Sequence, residues 1–273
     1  MASLFVKFYL WLCGIIPGFR KITRKWMYQF MAKFIKQDQW SFMNYGYAHI
    51  NNHDQRPILE TSDEVNRLSF QLYHHLASEI ELENKILLEI GSGRGGGASM
   101  IKKYLNPSSM VGLDYSSNAV KLCNKNHGRE GLRFVEGDAE NLPFTHESFD
   151  AVINVESSHC YESMSRFLKE VKKVLKPGGH FLFTDFRYSH EMDELEKQLS
   201  DSEMQITKKS DITPNVLQAL DEDHDRRMTE ISKSVPKPFI NQFREFAGVK
   251  DSVVYKQFAN RELIYFSYIL QKV

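Results

Sequence analysis

Cysteine, long apolar runs and any excess of charge are all scarce in this chain, and each scarcity removes a class of function. The three cysteines, Cys13, Cys123 and Cys160, are odd in number and scattered through 273 residues. That excludes a disulfide framework and leaves no ligand spacing for zinc. The pair His74-His75 has no partners at metal-ligand spacing, so no metal is expected and the pair reads as surface or packing. The most apolar stretch, residues 4–16, is too short to span a bilayer and is interrupted by Lys7. It lacks a signal cleavage site, and its basic residues lie on the wrong side for export. Internal repeats and low-complexity segments are absent. The composition is that of one cytoplasmic α/β domain with enough apolar residues for a core.

Acidic and basic residues balance at 35 each, but unevenly. Residues 1–36 hold Lys7, Arg20, Lys21, Arg24, Lys25, Lys33 and Lys36 and no acid, so the remainder carries a net charge of −7. A negative body argues against nucleic acid as a partner. An apolar stretch followed by Arg20, Lys21, Arg24 and Lys25 suits peripheral contact with an anionic membrane surface. It equally suits a helix folded over the body. Oligomeric state is not legible.

The densest information lies in Leu87-Leu88-Glu89-Ile90-Gly91-Ser92-Gly93-Arg94-Gly95-Gly96-Gly97-Ala98. An apolar run ends in an acid, glycines crowd a turn, and a helix-compatible run follows. This is the strand–loop–helix layout of a nucleotide-cofactor site, although glycine-rich turns also occur for structural reasons alone. Four more apolar runs follow: Val111-Gly112-Leu113-Asp114, residues 133–139 ending at Glu136-Gly137-Asp138-Ala139, residues 149–155, and His180-Phe181-Leu182-Phe183-Thr184-Asp185. The last is preceded by Leu175-Lys176-Pro177-Gly178-Gly179, which closes a helix. Strands alternating with helical segments predict a doubly wound parallel sheet, with ligands beyond the carboxyl ends of its strands. Glu89, Asp114, Asp138 and Asp185 would all face that crevice. Any one of them could instead cap the following helix.

This set resembles the class I S-adenosylmethionine-dependent methyltransferases. The resemblance rests on Glu89-Ile90-Gly91-Ser92-Gly93-Arg94-Gly95, Asp114, Gly137-Asp138-Ala139 and the Leu175 to Gly179 turn. A nicotinamide dehydrogenase is the rival, since Gly91, Gly93 and Gly96 fit its fingerprint, but the acid before the first glycine and the Leu-Lys-Pro-Gly-Gly turn favour the methyltransferase. The family implies a Rossmann-like seven-stranded sheet, a C-terminal antiparallel hairpin and a helical lid. It implies S-adenosylmethionine as cofactor, with Glu89 on the methionine ammonium, Asp114 on the ribose, and Asp138 with Ala139 at the adenine. Gly91, Gly93 and Gly95 form the loop, and Asn154 follows at the fourth strand. Ser41-Phe42-Met43-Asn44-Tyr45-Gly46-Tyr47 looks like the aromatic segment that closes over the cofactor, where Tyr45 would suit a sulfonium. Tyr45 and Tyr47 are equally readable as core aromatics.

Within the class, the chain is most similar to small-molecule O-methyltransferases, nearest the mycobacterial enzymes of phthiotriolone and phenolphthiotriolone dimycocerosates. Asn154-Val155-Glu156-Ser157-Ser158-His159-Cys160-Tyr161 and Thr184-Asp185-Phe186 carry that likeness. His159 matches a general base and Asp185 its partner. The acceptor implied is a hydrophobic lipid or polyketide alcohol. Two alternatives remain: a sterol-type C-methyltransferase, whose Glu-Ala-Thr-Cys-His pattern is related to Glu156 through Cys160, and a catalytically silent cofactor-binding partner protein. A nucleophilic Cys160 is not required, because methyl transfer needs no covalent enzyme intermediate.

The expected organisation is an N-terminal helical segment and cofactor cover (1–60), a cofactor-binding core (61–186), a helical lid over the acceptor site (187–248) and C-terminal strands (249–273). In the lid, helices are expected around Met192, Leu195 and Leu199, around Pro214 to Leu220, and along a stripe of Phe239, Phe243 and Phe246; most such stripes are core, and over an acceptor pocket part of it would meet a hydrophobic substrate. Asp221-Glu222-Asp223-His224-Asp225-Arg226-Arg227 reads as a solvated face. Residues 252–257 and 262–271 are expected to form the hairpin.

Overall fold

The computed structural model describes residues 41–50 and 56–273. The basic and apolar N-terminal segment lies outside them. Among the described residues, no helix is long and apolar enough to cross a membrane.

After a 3-10 turn at Thr61–Asn66, the elements run α1 (Arg67–Ala77), β1 (Ile86–Ile90), α2 (Gly96–Tyr104), β2 (Ser109–Asp114), α3 (Ser117–His127), β3 (Leu132–Glu136) and β4 (Phe149–Val155). They continue through α4 (Met164–Val174), β5 (Leu175–Tyr188), α5 (Met192–Ser200), β6 (Met204–Asp211), α6 (Thr213–Glu222), α7 (His224–Ser234), α8 (Ile240–Phe246), α9 (Val253–Ala259) and β7 (Leu263–Lys272). One seven-stranded sheet has the order β3-β2-β1-β4-β5-β7-β6. The first five strands are parallel, and β7 runs antiparallel to both β5 and β6. The doubly wound α/β sheet and its antiparallel C-terminal end are as expected.

The apolar runs without alternation reflect burial on both faces. Leu87 joins Phe70, Leu76 and Ile153 on one side of the sheet, while Leu88 and Ile90 join Phe167, Val171 and Phe181 on the other. Helix α4 shows how the sequence makes this arrangement. Ser163 caps it by accepting from the Arg166 amide at 3.3 Å, and Phe167, Leu168, Val171 and Val174 form one buried stripe. Burial of each such side chain contributes about 1.5–3 kcal/mol. The Leu-Lys-Pro-Gly-Gly segment does more than end that helix. Leu175 already pairs with Phe149, the next residues bulge outward with Gly178 at φ 75°, and pairing resumes at His180 with Ala151.

Three expectations are corrected. Residues 253–259 are helix α9, not a strand. The β-branched pair Val253-Val254 suggests a strand, but Ser252 accepts from the Tyr255 amide at 3.1 Å and Phe258 is driven into the core. The seventh strand, β6, comes instead from inside the 187–248 segment. It was hidden because, as an edge strand, it is almost wholly exposed and carries Gln205, Lys208 and Lys209. The Asp221 to Arg227 run is not a uniform solvated face, since Asp223 and Arg227 are a buried ion pair at 2.8 Å. In the aromatic stripe, Phe243 takes the core reading. It packs into a small separate core with Ile231, Val235, Ala247 and Val249, flanked by Phe239 and Phe246.

Candidate active site

The glycine loop joins β1 to α2 at the carboxyl edge of the sheet. Gly91 and Ser92 donate to the Leu113 carbonyl at 2.8 and 3.0 Å, fastening the loop to the end of β2. Gly91 sits at φ 78°, and a Cβ there would come within 2.3 Å of Ser157 Oγ, so both backbone and space demand glycine. Gly93 lies one turn on, with the Met43 methyl over it. Gly95 is the residue before the first turn of α2.

The three acids of the first three strands differ in what holds them. Glu89 is 1% exposed, and its Oε1 accepts from the Tyr73 hydroxyl at 2.7 Å. Its Oε2 has no hydrogen-bond partner. Burial, with the Asp114 charge adding to it, pushes its pKa up to about 8. An orphaned carboxylate oxygen in such a place calls for a cation. Asp114, also raised by burial, braces two backbones: Oδ2 accepts from Gly93 N at 2.8 Å and Oδ1 from Ser116 N at 2.9 Å. Asp138 falls just beyond β3, which ends at Glu136. It accepts from the Glu140 amide at 3.0 Å and is followed by buried Ala139.

Asn154 is fully buried beneath the loop. Its Nδ2 donates to Ile90 O at 2.9 Å and lies 2.7 Å from Ser157 Oγ and 3.0 Å from Tyr161 Oη, which share its second hydrogen, so it holds the end of β1 from below. Tyr45 is buried against Phe186 and Phe258, with ring centroids 5.7 and 5.6 Å away. Its segment reaches the loop through Ser41 O, which accepts from Gly96 N at 3.1 Å.

His159 and Asp185 do meet. His159 Nδ1 lies 2.8 Å from Asp185 Oδ1, and Asp185 Oδ2 accepts from the His159 amide at 3.0 Å and the Ser158 hydroxyl at 2.6 Å. Phe186 N donates to Oδ1 at 2.8 Å, and Arg187 lies 3.4 Å from Oδ2. The carboxylate is fully buried yet held below its usual range: burial opposes ionisation, and His159 and Arg187 outweigh it. Burial alone would lower His159. The charge of Asp185, with Cys160 beside it, raises it instead. The Cys160 and Cys123 thiols are not joined. Cys123 is buried, and its thiol is pushed up to about 12. His75, stacked on Tyr47 at 4.5 Å, is a packing residue depressed to about 4 by burial.

The sequence reading missed Glu156, Tyr73, Tyr265 and Arg227. Glu156 directly follows β4, near the carboxyl edge where the other acids lie, so the same signal marks it. Its φ of 46° turns its side chain so that Oε1 accepts from Tyr45 N at 2.7 Å and Tyr265 Oη at 2.6 Å. Burial raises it to about 7. Tyr73 and Tyr265 carry no such signal, since one sits in the mixed helical stretch Gln71-Leu72-Tyr73-His74 and the other in an apolar run.

Residues 88–183 match the family described as methyltransferase domain. The chain is 37% identical over 262 residues, 95% of each chain, to the phthiotriol/phenolphthiotriol dimycocerosates methyltransferase of Mycobacterium leprae. It is 39% identical over 217 residues to the fatty-acid O-methyltransferase of Mycolicibacterium smegmatis, covering 78% of this chain and 77% of that one. Its fold is similar to that of geranyl diphosphate C-methyltransferase from Streptomyces coelicolor A3(2), a structure holding S-adenosyl-L-homocysteine. There the TM-score is 0.66 at 14% identity, over 95% of this chain and 99% of that one.

Proposed function

The chain belongs to the S-adenosylmethionine-dependent methyltransferases, and on that footing we propose that it methylates a hydroxyl of a hydrophobic small molecule, with His159 as general base. Its enzymatic class and its cofactor follow from the family. When bound, S-adenosylmethionine supplies a methyl group already activated on a sulfonium.

The residues present fit that cofactor. The orphaned Oε2 of Glu89 suits an ammonium. Asp114, at the tip of β2, suits ribose hydroxyls. The loop at Gly91 and Gly93 leaves backbone where a ligand can approach closely. Tyr45 with its segment would cover the cofactor, and Asp138, Ala139 and Asn154 complete the assigned set.

The observation that carries the base assignment is the 2.8 Å contact of His159 Nδ1 with Asp185 Oδ1. Asp185 fixes the ring and stabilises the imidazolium that forms when His159 takes a proton. An alcohol is a poor nucleophile until that proton leaves, so positioning plus one base accounts for what the protein must provide. The named relatives act on phthiotriol-type lipids and on fatty acids, which supports a hydrophobic acceptor and an oxygen nucleophile.

The test is transfer from cofactor carrying a deuterated methyl group into a lipid extract of the source cells, with mass and NMR analysis of the product. A methoxy group on a lipid is expected. A new carbon-bound methyl would replace this reading with the sterol-type alternative, and binding of the cofactor with no transfer to any acceptor would favour the silent partner.

A further inference from the structure

The segment 41–48 is threaded between the cofactor loop and the helices that follow β6, and it is held at Tyr45 by a half-buried carboxyl group on one side and a buried guanidinium on the other. Glu156 Oε1 accepts from the Tyr45 amide at 2.7 Å. On the other side Arg227 Nη2 donates to the carbonyls of Tyr45 and Asn44 at 3.1 and 3.2 Å, and Nη1 donates to Ala247 O at 2.9 Å. Arg227 is only 7% exposed, and Nε is bound to Asp223 Oδ2 at 2.8 Å. One guanidinium therefore spans helix α7, the chain after α8 and the segment over the cofactor loop.

The neighbouring contacts have the same direction. Asn215 of α6 exchanges two hydrogen bonds with Ala48, at 3.1 and 2.9 Å. Gly248 lies at φ 60°, and a Cβ there would come within 2.9 Å of the Tyr45 ring. Between the segment and these helices remains a cavity of about 30 Å³ bordered by Asn44, Tyr45, Arg227 and Ala247. At the far end the segment touches the loop through Ser41 O and the methyl of Met43.

We propose that Arg227 and Glu156 form a clasp on the two peptide groups of Tyr45, and that Arg227 is a positioning residue for the cofactor although it lies on the acceptor-side helices. Arginine is required because a planar fork of donors meets three carbonyls and a carboxylate at once. A lysine ammonium is a single point that cannot. The helices after β6 thereby set how firmly the segment closes over the loop, and cofactor binding and the packing of those helices become coupled.

The inference rests on the family's cofactor, and neither on the acceptor nor on His159, so a probe that needs no acceptor separates the two. The experiment uses the full chain with Arg227→Lys and Arg227→Ala, and with Arg226→Ala as control. Arg226 binds the same Asp223 carboxylate but donates to no atom of the segment. Calorimetry measures affinity for S-adenosylhomocysteine, and hydrogen exchange followed by mass spectrometry reads residues 41–50 against the central strands.

For Arg227→Lys we expect faster exchange in 41–50, unchanged protection of β1, β4 and β5, and affinity weaker by about tenfold or more. Added S-adenosylhomocysteine should restore the lost protection, and Arg226→Ala should match the wild type. Should Arg227→Ala fail to fold, Arg227→Lys alone decides. Unchanged exchange in 41–50, or a loosened segment with unchanged affinity, overturns the proposal. So does an equal loss in Arg226→Ala.

Discussion

Replacing Glu89 with glutamine should stabilise the ligand-free protein while weakening its hold on S-adenosylmethionine, and the stability gain should grow with pH. Glu89 is buried with one oxygen unpartnered, and its pKa rises from 4.5 to about 8. An acid raised on folding keeps its proton in the folded state after the unfolded chain has released its own. The unfolded state then binds fewer protons, so stability falls as pH climbs from about 4.5 to about 8 and levels off above that. At about 1.4 kcal/mol per pH unit the interval is worth about 5 kcal/mol. Hydration and relaxation around the charge reduce this, and ~2–4 kcal/mol is the working figure.

Glutamine copies the shape of the protonated acid and can still accept from Tyr73, but it never ionises. Scanning calorimetry from about pH 5 to about pH 9 should show the two proteins melting together at the acid end. At the alkaline end the variant should melt higher by about 5–15 °C, at about 2–4 °C per kcal/mol. Titration with S-adenosylhomocysteine should show the opposite preference. Loss of one charge-assisted hydrogen bond costs about 1.5–3 kcal/mol, or about 10- to 150-fold in affinity. A melting difference that stays flat with pH would refute the electrostatic reasoning, and unchanged affinity would remove Glu89 from the cofactor site.

Three further outcomes follow from the same geometry. Asp114→Ala should weaken S-adenosylhomocysteine binding by about 1.5–3 kcal/mol for each hydrogen bond lost. It should also loosen the loop it braces at Gly93, and a folded variant with full affinity would show that Asp114 does not hold the ribose. His159→Ala should reduce turnover by about 10²–10⁴-fold with cofactor binding intact. Because Asp185 raises His159 from its ordinary 6.5 to about 10, the free imidazole is protonated at neutral pH and becomes the base only as pH approaches that value. Activity should therefore rise with pH to a midpoint above 6.5, and Asp185→Asn should move the midpoint down; a midpoint indifferent to Asp185 would argue against the pair. For the N-terminal segment, full-length protein should float with anionic liposomes and a chain lacking residues 1–18 should float less, the difference fading with salt. Equal behaviour of the two at low salt would remove the membrane role.

The parts of this protein legible in the sequence are those whose physics is local. A strand buried on both faces must be an uninterrupted apolar run, a loop with positive φ and crowded neighbours must be glycine, and an acid held toward the crevice must lie at or near the place where the parallel pairing of its strand runs out. Those three constraints wrote β1, the Gly91 to Gly95 loop, Glu89, Asp114 and Asp185 into the chain in readable order. Helix α4 is equally plain, because a Ser163 cap and a stripe of four apolar residues need no distant partner to declare themselves.

What tertiary structure alone decided is what becomes of residues whose partners are distant. Edge strand β6 takes its identity from hydrogen bonds to β7, and its polar side chains say nothing of it. Val253-Val254 has the composition of a strand, but burial of Phe258 and the Ser252 cap make it helix. Arg227, in a run of charges that reads as solvent-facing, is buried because three carbonyls and Asp223 converge on it across as many as 183 positions of sequence. The pairing of His159 with Asp185 was expected by likeness, but its consequence was not. A fully buried carboxylate raises the imidazole rather than merely orienting it, and that depends on the complete burial of Asp185, which only the packed fold determines.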